Sequence, residues 1–382
     1  MERDGPLARG GHGEYPAGMR EFMRRRFLAA GWLAGLLGLG AMGGVAAETP
    51  EPAASELATN SVLAPEPYTR VGHPDSNTVA LQIAVRKFVP ENGSNGPVLW
   101  LVGTAHIGDL EYYKTLQKQL DAQTVVLFEG VNADSHPRKA PKPGQPPDAS
   151  KTGAFRPAST EQGTNAGFSM QSALAKSLGL VFQLDAIDYD RTNFFNSDLS
   201  VFDIQRLMLN DPDAEPARPG EPTKSDPSFD LLLEIMNGNS VLGKIFKWIV
   251  SYIGTNPELQ AMTKYMLVET LGGLKGDFAE IRGLPPDMQH LLRVLIEARN
   301  QNVLNDIKTE FSLLPPGGTV AVFYGTGHMS DLEKRVVKEL HYQSAGEEWH
   351  TAFSADLRET GMTPGQLGLF HRLIQAQLDQ MQ

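Results

Sequence analysis

The tetrapeptide Gly-x-x-His occurs twice in the chain, as Gly103-Thr104-Ala105-His106 and as Gly325-Thr326-Gly327-His328. Each copy follows an apolar run, Val98 to Val102 and Thr319 to Tyr324. Each then leads through an acidic position into a helical pattern, Asp109-Leu110-Glu111 and Asp331-Leu332-Glu333. Glu129 ends another apolar run, Thr124 to Phe128. Two imidazoles and a carboxylate form a ligand set for Zn, Mn, Co or Fe, with positions left over for water and substrate. Water bound to such an ion has a lowered pKa and serves as the nucleophile for hydrolysis. The opposing reading is that each histidine caps its loop or donates a structural hydrogen bond. The repetition of a complete strand, Gly-x-x-His and helix context weighs toward chemistry.

These residues depend on the elements that carry them. Gly103 and Gly325 would let the backbone turn sharply as it leaves the sheet. His106 and His328 then fall in loops at strand carboxyl ends, where open α/β sheets keep their ligands. Leu110, Tyr113, Leu116 and Leu120 have helical spacing between the runs ending at Val102 and Phe128. That is a βαβ unit, whose two strands are parallel. A half-buried strand is expected from Thr78, where Val79, Leu81, Ile83 and Val85 alternate with small or polar residues. A third buried strand is expected over Leu180–Leu184, followed by Asp185-Ala186-Ile187-Asp188. The second unit is a strand from Thr319 and a helix over 329–340, then an edge strand near 348–354 and an amphipathic helix from Thr363.

Between about 200 and 310 no strand pattern occurs, and helices fit at 229–237, 240–253, 257–271 and 287–310. The expected fold class is α/β: a mixed, mostly parallel sheet from two related strand-Gly-x-x-His-helix units, with an all-helical insertion between them. Residues 134–167 and the proline-rich 210–228 read as surface connections.

Three further groups are candidates. Asp185 and Asp188 either cap the turn after them or support the ligands from behind. Arg299 lies three residues beyond Ile296 on a face made by Leu292, Leu295 and Ile296. It can clamp a substrate anion or an active-site carboxylate, or form a structural ion pair. Asn300, beside it, is a binding or supporting candidate.

Residues 1–47 read as an export signal: Met23-Arg24-Arg25-Arg26-Phe27-Leu28 opens an apolar stretch that ends at Val45-Ala46-Ala47. Arg-Arg-x-Phe-Leu suits a twin-arginine signal, and an ordinary basic signal fits equally. The alternative is an uncleaved anchor in the inner membrane of a bacterium, against which the many glycines of the stretch argue. Residues 48–77 are expected to be a flexible linker and 78–382 the folded domain. Past residue 47 the chain carries 28 Lys+Arg against 41 Asp+Glu, a net charge of −13. That disfavours nucleic acid or an anionic membrane surface as partner. There is no cysteine, so any metal falls to His, Asp and Glu, and thiol nucleophiles are excluded. His-Glu-x-x-His and Gly-x-Ser-x-Gly are also absent, which removes the mechanisms built on them.

Taken in order, Gly103-Thr104-Ala105-His106, Phe128-Glu129-Gly130, Gln183-Leu184-Asp185-Ala186-Ile187-Asp188-Tyr189, Ala298-Arg299-Asn300 and Gly325-Thr326-Gly327-His328 resemble the TraB/GumN/TIKI superfamily over residues 78–355. The resemblance implies an α/β fold with two related halves, distantly similar to erythromycin esterases and haem-binding ChaN-like proteins. It also implies a metal-dependent protease site at His106, Glu129 and His328, acting on a peptide or protein. One departure is Ala298, where the family often has an acidic residue directly before the Arg-Asn pair; Glu297 stands one position earlier. The function expected is thus an exported metal-dependent hydrolase, a peptidase in the first instance. A non-catalytic haem-, metal- or peptide-binding protein of the same fold is the alternative.

Overall fold

The computed structural model describes residues 67–130, 165–209, 241–275 and 286–381. Its centre is a seven-stranded mixed sheet. Four neighbours, β3 (Val98–Thr104), β8 (Thr319–Gly325), β5 (Val125–Phe128) and β7 (Phe194–Asn196), run parallel in that spatial order. The antiparallel side is built on the long β2 (Thr78–Pro90). One edge of β2 pairs first with β1 (Thr69–Asp75) and then with β3, while β9 (Tyr342–Asp356) lines the other. The expected fold class is therefore present: an α/β chain with a mixed, mostly parallel sheet.

The parallel strands read as unbroken apolar runs because both of their faces are covered. Leu99, Leu101, Val125, Leu127, Val320 and Val322 pack on one face against Val303, Leu304 and Ile307 of α8 (Arg299–Leu313) and Met329, Leu332 and Val336 of α9 (Met329–Leu340). On the other face the Tyr189 ring packs at a tilt against Phe128 and Phe323. There, too, α1 (Leu110–Asp121) is tied to the Tyr189 loop by a bond from the Asp188 N–H to Gln117. Each fully buried Leu or Phe contributes about 2 kcal/mol. Chain leaving β3 thus enters a helix on one face, and chain leaving the adjacent β8 enters a helix on the other. That is a topological switch point, where the loops part and leave a crevice.

Elsewhere the structure departs from expectation. Thr69–Asp75 is a strand rather than part of a linker, because its backbone pairs with Leu81, Gln82 and Ile83 despite its polar side chains. The run from Leu180 does not join the main sheet. Only Val181–Phe182 (β6) is extended, paired with Ile107–Gly108 (β4), and a single helical turn, α3 (Gln183–Ala186), comes next. The sheet position beyond β5 goes instead to the three residues of β7.

All described elements between 201 and 313 are helical: α4 (Val201–Met208), α5 (Val241–Gly254), α6 (Pro257–Gly273), α7 (Pro286–Arg293) and α8. Outside that stretch, α2 (Asn165–Ser177) precedes β6, and α10 (Pro364–Met381) forms the amphipathic helix expected from Thr363. The expected helix at 229–237, the surface connection 210–228 and the export signal lie outside the described residues, as does the connection 134–167 except for its last three residues, which are helical and open α2. Among the described residues, no helix is long and apolar enough to cross a membrane.

Candidate functional site

The β3–β8 register pairs Thr104 with Gly325, and β8 pairs Phe323 with Phe128 of β5. The three carboxyl ends therefore lie side by side, and they bring His106, His328 and Glu129 together as the sequence suggests. Gly325 serves close approach rather than a turn, since its backbone is extended at φ −54° and ψ 142°. Its N–H donates to Glu129 Oε2 at 2.8 Å. A Cβ there would stand 3.2 Å from the same oxygen and 3.9 Å from His106 Nε2, so any side chain at this position would fill the gap between them. Gly103 likewise has no positive φ.

Arg299 is the hub of the site. Its Nε and Nη2 donate to Asp198 Oδ1 and Oδ2 at 2.8 and 2.6 Å, and Nη2 also donates to Glu129 Oε1 at 2.7 Å. Nη1 donates to the Leu295 carbonyl and to His328 Nε2, both at 3.3 Å. The whole fork is thereby spent on the protein, which removes the substrate-anion clamp and leaves the active-site carboxylate reading. Arg299 is aimed by a π-helical turn over Val294–Ala298, directly before α8. Such a turn inserts an extra residue and rotates the helix beyond it. Asp198 is anchored in turn by the Gly130 N–H at 3.0 Å.

Both motif histidines are held at Nδ1 by a carboxamide. His328 Nδ1 lies 2.7 Å from Asn300 Oδ1, and the Asn300 amide nitrogen donates to the His328 carbonyl and to Asp331 Oδ2. Because a guanidinium only donates, His328 Nε2 accepts from Arg299 and Nδ1 carries the proton. His106 Nδ1 lies 3.3 Å from Gln183 Oε1.

The charges are set by these contacts. Burial alone would raise the Glu129 carboxyl, but Arg299, the two imidazoles and the Gly325 N–H hold it well below the usual carboxylate range. Burial, and then the Arg299 charge, push the His328 imidazole down to about 4. At neutral pH an ionised Glu129 therefore stands beside a guanidinium and a neutral His328.

Asp185 and Asp188 are not brought in. Both are exposed, and Asp188 faces Arg191 at 3.2 Å. The helical turn at 183–186 changes the phase of the segment, so Gln183 and Tyr189 point inward in place of the two aspartates. Asp198, Gln183 and Tyr189 belong to the site without having been singled out by the sequence reading. Phe194-Phe195 is the one sequence signal that could have located the short strand before Asp198. No protein-family model, no curated protein and no solved structure matches the chain.

Imidazole and carboxylate are donor types that divalent ions take. The Asn300 and Gln183 oxygens face the two Nδ1 atoms, while the His328 Nε2 lone pair accepts from Arg299. In the arrangement shown, no three His, Asp or Glu side chains among the described residues are grouped closely enough to hold an ion. Arg299 Nη1 stands at His328 Nε2 instead. It is the one nitrogen of this guanidinium without a carboxylate partner.

Proposed function

We propose that this chain is an exported metal-dependent hydrolase of the TraB/GumN/TIKI type, acting on a peptide or protein. The observation that supports this reading is the convergence of His106, Glu129 and His328 at a topological switch point, with both imidazoles backed by neutral amides. These three residues would hold the ion, which supplies a water of lowered pKa and polarises the scissile carbonyl. Glu129 serves as a ligand rather than a base, because a carboxylate held so far below neutrality takes up protons poorly. Arg299 keeps it ionised and fixed. Asn300 and Gln183 orient the rings.

The test is metal analysis of the purified protein after mild dialysis, together with turnover of a peptide library in Mn, Co, Zn and Fe. Wild type should retain a divalent ion and cleave peptides, and His106→Ala/His328→Ala should do neither. Equal metal in both proteins would overturn the proposal. The non-catalytic alternative predicts retained metal with no metal-dependent cleavage. N-terminal sequencing of the mature protein checks export, with cleavage expected after Ala47.

A further inference from the structure

Gln183 is buried, with 5 % of its surface exposed, and is bonded on every side. Its backbone N–H donates to the His106 carbonyl at 2.8 Å, its Oε1 faces His106 Nδ1 at 3.3 Å, and its Nε2 donates to the Tyr189 hydroxyl at 2.8 Å. The pairing of Ile107 with Phe182 and of Gly108 with Val181 rivets the two segments just beside these contacts. The second motif carries the same device in another form. There the Asn300 amide nitrogen is bound to two acceptors, which leaves only its oxygen for His328 Nδ1.

We propose that Gln183 is the positioning residue of His106, the counterpart of Asn300 at His328. It keeps the proton on Nδ1 and leaves the Nε2 lone pair directed at the Glu129 side of the crevice. The chemistry of the partner matters. A carboxylate on Nδ1 would favour an imidazolium, as in acid–base triads, whereas a neutral amide fixes the tautomer and adds no charge. The His106 Nε2 lone pair then stands beside the ionised glutamate, whereas that of His328 is taken by Arg299 Nη1. The consequence for metal binding rests on the function proposed above, whereas the tautomer assignment does not.

The experiment is long-range proton–nitrogen NMR of the metal-free full chain, with the His106 signals assigned by their loss in His106→Gln. It is paired with zinc titration. Wild type should show His106 protonated on Nδ1. Gln183→Leu should shift the ring toward the Nε2–H form and weaken zinc binding by about 10- to 100-fold. Gln183→Glu, which keeps an acceptor, should restore Nδ1 protonation. If Gln183→Leu does not fold, Gln183→Asn withdraws the amide by one methylene and should give the same shift. An Nε2–H ring in the wild type would mean that the amide is oriented the other way and would overturn the proposal. An unchanged ring in both Gln183→Leu and Gln183→Asn would do the same. If the wild type binds no zinc and cleaves nothing, the proposed function fails while the NMR result still decides the role of Gln183.

Discussion

Asp198 meets Arg299 edge-on, with Oδ1 on Nε at 2.8 Å and Oδ2 on Nη2 at 2.6 Å, and the Asp198 side chain is wholly buried. This two-point contact fixes the plane of the guanidinium, and that plane sets where Glu129 sits. The hub is thus held by a residue about a hundred positions away in sequence, not by an acidic neighbour before the Arg-Asn pair.

Removing Asp198 leaves Arg299 with Glu129 as its one carboxylate and takes away the acceptors of two buried charged donors, which costs about 3–5 kcal/mol. Asp198→Ala should therefore lower Tm by roughly 10 °C, at about 2–4 °C per kcal/mol for a domain of this size. Differential scanning calorimetry checks this. A shift under about 2 °C would show that the pair contributes little to the fold.

Glu129→Gln keeps the shape and removes the charge. It should eliminate metal retention and reduce peptide turnover by at least about 10²-fold. Arg299 and the Gly325 N–H donate to different oxygens of Glu129, so a glutamine leaves one of them facing its NH2 group, which costs about 1–3 kcal/mol. Metal analysis and thermal melts of the metal-free protein read the two effects separately. Full metal content in this variant would remove Glu129 from the ligand set.

Acid should destabilise the metal-free fold through His328. Its imidazole is pushed down to about 4 by burial and by Arg299, against roughly 6.5 in the unfolded chain. Within that window the unfolded chain binds a proton that the folded chain does not. The stability contributed by neutral His328 is therefore present above about 6.5 and lost as pH falls toward 4. Glu129, also depressed, acts in the same direction at lower pH. Denaturant melts should show His328→Gln losing about 2 kcal/mol less than wild type between about pH 7 and 5. Parallel profiles for the two proteins would contradict this.

Asp185→Asn and Asp188→Asn should leave metal content and turnover unchanged and shift stability by under about 0.5 kcal/mol, as for other exposed positions. A tenfold loss of activity in either variant would return that residue to the site.

Legibility in the sequence tracks burial. β3, β5 and β8 can be read there because strands covered on both faces carry continuous apolar runs, and the two Gly-x-x-His copies name their own loops. β1 cannot, because Arg70, Gly72 and His73 give it no apolar alternation. The Leu180 run looks like a strand because a short apolar stretch has no period to separate a strand from a helical turn. That ambiguity also puts Asp185 and Asp188 in the expected site in place of Gln183 and Tyr189. Asp198 carries no local mark, since its role exists only once the loop after β7 lies against α8. The π-helical turn before Arg299 is likewise invisible in the spacing of Leu292, Leu295 and Ile296.

The position of β8 between β3 and β5 has a consequence for how the protein comes into being. During synthesis His106 and Glu129 are made early, but the strand that sets them side by side is added nearly two hundred residues later. Until then the sheet lacks its middle, and its two halves can only wait or mispair. Folding must therefore close a long loop before the central contacts repay it, which makes it slow and dependent on a finished carboxyl half. A chain interrupted before Thr319 would carry two of the three reactive side chains and no site. Hydrolytic activity of the kind proposed would thus be withheld from every copy that stops short of Thr319.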